Sequence, residues 1–331
     1  MKPLKANEIF GTWATLLLPI LPDQTVDFDL LDTEIDDLIA SGMHGLYSNG
    51  TAGEFYNQTE KEFDQINERL ADKCEKASLP FQVGCGHMDP VISMARVKKA
   101  KHWKPSAIQV ILPDWCPPSQ KEILLFLEKI SEVAFPIGLV LYNPPHAKRQ
   151  LLPGDYRVIL EKGLPIVGCK VMGGGPEWFK EMEALPGKFS VFVPGHQLAT
   201  GLTLGAHGSY SNMACLNPVM AQKWYTMMHD EPGEALNLEK RIISFFQQFI
   251  LPYALRKGYS SAALDKFLSA VGGWIKIGTE LKWPYKGIPV SEVEKIRDQA
   301  KRALPEFIVK EKRKCKKQFN HWSFASCCAA P

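Results

Sequence analysis

Residues 107–143 read AIQVILPDWCPPSQKEILLFLEKISEVAFPIGLVLYN. Two short apolar runs, 107–112 and 138–143, flank a segment at 119–134 in which apolar residues recur at spacings of three and four. Runs of this length predict buried strands, and the three-and-four spacing predicts a helix that packs on them. Ser119 is a suitable N-cap for that helix. The stretch therefore predicts a strand, helix, strand unit with parallel strands.

The same alternation recurs along residues 1–213. Eight candidate strands are GTWATLLL at 11–18, HGLYSN at 44–49, PFQVGCG at 80–86, AIQVIL at 107–112, GLVLYN at 138–143, IVGCKV at 166–171, FSVFVP at 189–194 and GSYSN at 208–212. Eight βα units predict an α/β fold, the closed (β/α)8 TIM barrel. A doubly wound open sheet shares the alternation, but no glycine fingerprint for a dinucleotide follows the first run, which favours the barrel.

The alternation stops after residue 213, and the remainder falls into two parts. Residues 214–309 have helical periodicity only, which predicts a C-terminal helical subdomain packed on the barrel. Residues 310–331 begin with a block of basic residues and contain cysteines, so we expect a disordered, solvated tail. A tail that binds RNA or a protein partner is the alternative.

Composition and charge exclude several classes of protein. The net charge is +3, but the last 21 residues hold five lysines and arginines against one glutamate, so the body is close to neutral and no nucleic acid partner is expected. No run of about 18 apolar residues is present and MKPLKANEIF does not resemble a secretory signal, so we expect a cytoplasmic protein without membrane contact. The eight cysteines lack the spacing of a zinc site.

Three residues at predicted strand ends carry the candidate chemistry, because functional groups of a (β/α)8 barrel project from the carboxyl ends of its strands. They are Thr51, Tyr142 and Lys170, after the second, fifth and sixth strands. Burial lowers the pKa of a lysine, and the free amine that results can attack a carbonyl carbon to form an imine. Such an imine acts as an electron sink with no metal or cofactor, so Lys170 is the candidate nucleophile.

The other two residues fit the same reaction. Tyr142 can act as the proton shuttle, and the turn Gly50-Thr51-Ala52-Gly53 offers backbone N–H groups and a hydroxyl to the carboxylate of a 2-oxo acid. Each residue also has a structural interpretation, since a strand-end lysine often extends to solvent and glycine is common in tight loops. The occurrence of all three in this order favours catalysis.

These motifs resemble those of the dihydrodipicolinate synthase and N-acetylneuraminate lyase family, the class I pyruvate-dependent aldolases. That family carries G-[ST]-[ST]-G-E, Y-N-x-P and G-x-K in this order, and the corresponding stretches here start at Gly50, Tyr142 and Gly168. The resemblance spans roughly residues 8–309. It implies Lys170 as the Schiff-base former, Tyr142 as acid and base, Thr51 as hydroxyl relay, and a homotetramer built as a dimer of dimers, with a homodimer as the alternative.

Several positions depart from the family pattern. Ala52 replaces the second hydroxyl of the turn, and Trp115 stands where the lysine-biosynthesis synthases have a tyrosine that reaches from a neighbouring subunit. Arg149 is out of register with the arginine that binds the second substrate in those enzymes, although it remains a candidate for another acidic substrate. Gly195-His196 and Tyr210 lie where the family surrounds the imine, and we expect them to contact substrate.

The sequence therefore predicts a Schiff-base-forming lyase that acts on pyruvate or a related 2-oxo acid, without being a true dihydrodipicolinate synthase. A dehydratase of 2-oxo-3-deoxy sugar acids with the same lysine imine is one alternative. A catalytically silent barrel that binds a small acid is another. A metal-dependent aldolase is disfavoured, because the strand ends lack the histidines and carboxylates that a metal would require.

Overall fold

A computed structural model describes residues 1–309. Eight parallel strands pair in chain order, and the eighth pairs with the first, so they close into a barrel. The strands are β1 (Gly11–Thr15), β2 (Gly45–Ser48), β3 (Phe81–Gly84), β4 (Ala107–Val110), β5 (Leu139–Tyr142), β6 (Ile166–Lys170), β7 (Ser190–Pro194) and β8 (Gly208–Tyr210). This confirms the (β/α)8 barrel and excludes the open sheet. Each strand is slightly shorter than predicted, because the ends of the apolar runs belong to loops.

Seven helices alternate with the strands and cover the outside of the barrel. They are α1 (Phe28–Ala40), α2 (Glu60–Lys76), α3 (Pro90–Ala100), α4 (Gln120–Ala134), α5 (Pro153–Glu161), α6 (Pro176–Glu183) and α7 (Leu198–Thr203). The predicted N-cap is present, since Ser119 Oγ accepts a hydrogen bond from the Glu122 N–H and the Glu122 carboxylate accepts one from the Ser119 N–H. Such a reciprocal pair satisfies two N–H groups that a helix start leaves unpaired.

The strands alternate between two cores, as the period of two for side chains requires. Leu139 and Leu141 of β5 face the helices, whereas Val140 points into the barrel. The barrel interior also holds several aromatic rings, from Trp13, Tyr47, Phe192 and Tyr210. The interior is therefore packed with side chains and leaves space only at its mouth.

After β8 the described part of the chain consists of helices and the loops that join them, and no strand is present up to residue 309. Its helices are α8 (Asn212–Leu216), α9 (Pro218–Asp230), α10 (Pro232–Phe245), α11 (Leu251–Leu255), α12 (Ser261–Gly272) and α13 (Val293–Ala303). Helix α12 packs on α8, and α8 packs on β1, which brings α12 over the barrel mouth. The division into a barrel at 1–213 and a subdomain at 214–309 stays a prediction.

Two further expectations concern the C-terminal tail and contact with a membrane. The basic tail at 310–331 lies outside the described residues. None of the helices within residues 1–309 combines the length and the apolar character that a bilayer crossing requires.

Candidate active site

A β-bulge positions the candidate nucleophile. Leu139 of β5 pairs with Ile166 of β6, but Val140 pairs with Gly168, so β6 contains one extra residue. A slip of one residue moves every following side chain to the other face of a sheet. Because of it, Lys170 becomes the register partner of Tyr142. Both side chains therefore point to the mouth of the barrel.

The Lys170 amine lies among three tyrosine rings. Its Nζ is 4.1 Å from the ring centroid of Tyr142, 4.8 Å from that of Tyr47 and 5.2 Å from that of Tyr210. Nζ also donates a hydrogen bond to Tyr47 Oη at 3.3 Å. The rings exclude water from most of the amine and leave one side facing a cavity.

Burial lowers the pKa of Lys170 to about 8, and the negative charge of the Asp265 carboxylate opposes part of this change. Burial raises the pKa of Asp265 to about 7, and the positive charge of Lys170 opposes part of this increase. Desolvation therefore disfavours the charged form of both groups. Since the pKa of Lys170 stays above 7, the ammonium is still the larger fraction of this side chain at neutral pH.

Tyr142 and Thr51 form the second part of the site. Their hydroxyl groups are 3.0 Å apart, although Tyr142 ends β5 and Thr51 lies in the loop after β2. Burial raises the pKa of Tyr142 to about 12, and the hydrogen bond with Thr51 opposes this shift. Tyr142 is therefore a protonated phenol at neutral pH, able to donate a proton and take it back through Thr51.

The turn at residues 50–54 fits tightly around these groups. A Cβ on Gly50 would lie 2.8 Å from the Tyr47 ring and 3.6 Å from Lys170 Nζ, so a side chain here would obstruct the amine. The backbone N–H groups of Thr51 and Ala52 donate to no other described residue and border the cavity. Consecutive free N–H groups of this kind form an anion-binding site.

Glu54 ends this turn in the left-handed conformation, φ 51°, and fastens it to α12. Its Oε1 lies 3.2 Å from Lys266 Nζ, and the side chains of both residues are 0% exposed. Its Oε2 accepts a hydrogen bond from the Lys282 N–H at 2.9 Å. The buried pair therefore links the turn that holds Thr51 to the helix that holds Asp265.

His196 is held as a neutral ring. Its backbone N–H donates to Asn212 Oδ1 at 3.1 Å, which orients the amide so that Asn212 Nδ2 donates to His196 Nδ1 at 2.9 Å. The ring stacks on Phe246 with centroids 5.0 Å apart. Burial lowers the pKa of His196. With Nδ1 accepting, Nε2 carries the proton and is the donor of this ring.

These residues enclose a cavity of about 290 Å³ at the barrel mouth. Its walls are the carboxyl ends of β1, β2, β5, β6, β7 and β8, together with residues of α12 and of the helical turn Phe246–Ile250. This volume is close to the lower end of the range of about 300–1,000 Å³ for ligand pockets. A larger cleft of about 970 Å³ lies beside α12 and α13, away from every strand end. The smaller cavity is the candidate active site because it contains Lys170.

The structure brings six of the ten sequence-predicted site residues to this cavity, namely Thr51, Ala52, Tyr142, Lys170, His196 and Tyr210. Gly50 and Gly195 lie directly behind its wall, where a Cβ on Gly195 would lie 2.5 Å from Ser211 Oγ.

Trp115 and Arg149 are not brought to the cavity. The Trp115 side chain is 76% exposed, and Arg149 Nη2 lies 2.6 Å from Asp155 Oδ1 in an ion pair. A contact of either residue with substrate stays a prediction.

Two residues of the site were missed by the sequence reasoning. Tyr47 was hidden inside a predicted strand, although its alternation with Leu46, which faces the helices, places it on the inward face. Asp265 lies in AALDKFLSAVGG, where an acidic residue in a mostly apolar helix is a visible signal. Only the packing of α12 over the barrel shows that this carboxylate reaches the strand ends.

The family model described as "Dihydrodipicolinate synthetase family" matches residues 8–258. The chain belongs to this family. It is 27% identical over 237 residues to the 4-hydroxy-tetrahydrodipicolinate synthase of Pseudoalteromonas atlantica, and the matched stretch covers 70% of this chain and 80% of that one. The synthase of Rhizobium meliloti is 29% identical over 202 residues, or 60% of this chain and 67% of that one. The resemblance inferred from the motifs is confirmed.

Solved structures of other proteins share the fold. YagE, a prophage protein of the family from E. coli K12, superposes with a TM-score of 0.78 at 18% identity, covering 89% of this chain and 98% of that one. The sialic acid aldolase of Ruminococcus gnavus superposes with a TM-score of 0.77 at 16% identity, covering 91% and 100%. At such identities the likeness establishes the fold alone. As a member of the family, the chain is an enzyme of the lyase class.

This family member contains no cluster of three or more histidine, cysteine, aspartate or glutamate side chains suited to a metal within residues 1–309. The reactive groups that line its cavity include the amine of Lys170, the hydroxyl groups of Tyr142 and Thr51, the neutral imidazole of His196 and the carboxyl group of Asp265.

Proposed function

We propose that Lys170 forms a Schiff base with pyruvate or a related 2-oxo acid, and that the enzyme makes or breaks a carbon–carbon bond at the adjacent carbon. The observation that carries the proposal is the joint geometry of three groups. The Lys170 amine lies 4.1 Å from the Tyr142 ring centroid, and the Tyr142 hydroxyl lies 3.0 Å from that of Thr51. A nucleophile with a lowered pKa beside a proton shuttle is the arrangement that covalent catalysis requires.

The proposed reaction starts with the unprotonated amine, which attacks the C2 carbonyl carbon of the oxo acid. Tyr142 gives a proton to the oxygen, water leaves, and a protonated imine remains. Loss of a proton from C3 gives an enamine, whose C3 attacks the carbonyl carbon of an aldehyde while the aldehyde oxygen takes up a proton. Cleavage is the same sequence in reverse, and hydrolysis of the imine releases pyruvate.

The carboxylate of the oxo acid has a suitable site in this scheme. The free N–H groups of Thr51 and Ala52 border the cavity that contains the Lys170 amine. Ala52 cannot add the second hydroxyl that the family motif provides, so we expect weaker pyruvate binding by about 1.5–3 kcal/mol than with a hydroxyl at this position.

Two relatives support the proposal by their descriptions. The structure of YagE is described as a complex with pyruvate, and one structure of the Ruminococcus gnavus sialic acid aldolase is described as a catalytic lysine mutant. We do not carry over dihydrodipicolinate synthesis, because Arg149 is paired with Asp155 and lies away from the cavity.

Product analysis tests the reaction class. The protein is incubated with 2-oxo-3-deoxy sugar acids, and the products are separated and identified. Release of pyruvate with an aldehyde supports the proposal, and a saturated dioxo acid without pyruvate identifies the dehydratase instead. Conversion of none of the acids, with no imine formed, would identify a silent binding barrel. Lys170→Arg serves as the control, because a guanidinium stays protonated and cannot form the imine.

We also propose that the chain assembles as a homotetramer or homodimer, with Trp115 at a subunit contact. The exposed indole of Trp115, which has the Lys148 amine 5.1 Å from its ring centroid, supports this. Light scattering of the wild type and of Trp115→Ala is the measurement. A wild-type monomer would contradict the proposal, and a variant that dissociates supports it.

A further inference from the structure

Helix α12 contributes one face to the cavity. Ser261, Leu264, Asp265 and Leu268 line it, at the spacing of three and four that places residues on one side of a helix. Lys266 points the other way and is paired with Glu54. The Asp265 side chain is therefore directed at the site, and the neighbouring charge on the helix is already neutralised.

Asp265 has no partner of its own within residues 1–309. No hydrogen bond or ion pair involves its carboxylate. The charge of Lys170 affects the pKa of Asp265, but the amine nitrogen lies more than 4.0 Å from the carboxylate oxygens, too far for an ion pair. Burying a carboxyl group without such partners is costly, so this residue does not stabilise the fold. A perturbed acidic group that faces a cavity beside a nucleophile is a candidate for a functional role.

The charges that line the cavity indicate which kind of second substrate Asp265 would favour. Among the described residues that line the cavity, Lys170 is the only lysine or arginine. Once Lys170 has formed the imine, its positive charge is matched by the carboxylate of the oxo acid itself. A second substrate then meets Asp265 and no unmatched lysine or arginine.

Resting on the proposed function, we infer that Asp265 determines the second substrate, by accepting a hydrogen bond from a hydroxyl group of an uncharged aldehyde and by repelling an aldehyde that carries a carboxylate. His196 completes this subsite, because its Nε2–H donor lines the same cavity and can bind an oxygen of the same molecule. Asp265 and His196 together therefore offer an acceptor and a donor, which suits a hydroxylated aldehyde.

The test compares two aldehydes that differ at one group. Glyceraldehyde and tartronate semialdehyde have the same three-carbon skeleton, with a terminal alcohol in the first and a carboxylate in the second. We measure kcat and KM for the addition of pyruvate to each at pH 8, where Asp265 with its pKa of about 7 is mostly ionised. The wild type, Asp265→Asn, Asp265→Glu and Asp298→Asn are compared. Asp298 lies on the surface of α13 in an ion pair with Lys301. Asp298→Asn is therefore the matched control, because it removes the same charge outside the cavity.

The wild type is expected to prefer glyceraldehyde in kcat/KM by about tenfold or more, since like charges brought together cost several kcal/mol and about 1.4 kcal/mol corresponds to tenfold. Asp265→Asn should reduce this preference about tenfold, mainly by lowering KM for tartronate semialdehyde. Asp265→Glu should restore most of it, and Asp298→Asn should leave it as in the wild type.

Borohydride reduction with pyruvate alone is run in parallel on every variant. An imine in the wild type, together with the same aldehyde preference in Asp265→Asn as in the wild type, overturns the role of Asp265 and leaves the proposed function intact. An equal change in Asp298→Asn also overturns it, because the effect would then be one of net charge. Absence of any imine in the wild type overturns the proposed function, and the inference with it.

Discussion

Tyr142 and Lys170 are the last register partners of β5 and β6, and the lysine amine lies 4.1 Å from the centre of the tyrosine ring. The pairing depends on the bulge between Leu139 and Val140, without which the two side chains would point to different faces. Neighbouring strand ends thus bring the nucleophile and the phenol together without any contribution from flexible loops. Sites built on strands hold their geometry more precisely than sites on loops.

Removal of the phenol hydroxyl tests the proton shuttle. Tyr142→Phe should lower kcat by about 10²- to 10⁴-fold, which is the range for loss of a general acid and base. Tyr156→Phe is the matched control, because Tyr156 is fully buried on α5 and does not line the cavity. Steady-state kinetics on both variants are the measurement, and equal rates in the two would contradict a role for the Tyr142 hydroxyl.

The hydrogen bond between Thr51 and Tyr142 should be worth less than the phenol itself. Thr51→Val keeps the shape of the side chain and removes the hydroxyl 3.0 Å from Tyr142. The loss of one such bond, about 0.5–1.5 kcal/mol, corresponds to a fall in kcat/KM of about 2- to 12-fold. Thr51→Ser should recover most of the activity. A serine variant as slow as the valine variant would show that packing of the methyl group matters instead.

The rate of imine formation should depend on the pKa of Lys170. Only the unprotonated amine attacks, and with a pKa of about 8 roughly one tenth of it is free at pH 7. The initial rate of trapping with pyruvate should therefore rise with pH and level off above pH 8. A midpoint near the ordinary value of 10.5 would mean that the amine is fully hydrated.

Asp265 supplies the control for that profile. Its negative charge opposes the fall in the pKa of Lys170, so Asp265→Asn should move the midpoint to lower pH. A shift to higher pH would contradict the sign of this electrostatic coupling.

The buried pair between Glu54 and Lys266 should stabilise the fold and the site together. Glu54→Gln leaves the Lys266 ammonium buried beside a neutral group, and both side chains are 0% exposed. Removing one partner of such a pair lowers the free energy of unfolding by about 3–5 kcal/mol. Urea denaturation of the variant and the wild type is the measurement. The double variant Glu54→Gln with Lys266→Met should be more stable than the single one, because no unpaired charge remains. A double variant that is less stable would contradict this account.

The parts of the molecule that were predictable from sequence are those governed by local pattern. The strand-end positions of Thr51, Tyr142 and Lys170 follow from apolar runs of limited length, and the barrel then brings the strand ends together. Burial of the Lys170 amine additionally requires the rings of Tyr47, Tyr142 and Tyr210, which come from three other strands.

The remaining features depend on packing between distant segments. The pairing of Glu54 with Lys266 joins the loop after β2 to α12, and no local pattern records it. The same helix brings Asp265 to the cavity. The ion pair between Arg149 and Asp155 is likewise a contact that the position of Arg149 after the strand does not indicate.

The most direct test of the central claim is to reduce the protein with borohydride in the presence of pyruvate and to map the modified lysine by peptide mass spectrometry. Lys266 is an internal control, because it is also fully buried but its amine is held by Glu54. We predict one reduced pyruvyl group on the Lys170 peptide and none on the Lys266 peptide. An unmodified Lys170, or modification spread over exposed lysines, would contradict the assignment of Lys170 as the nucleophile.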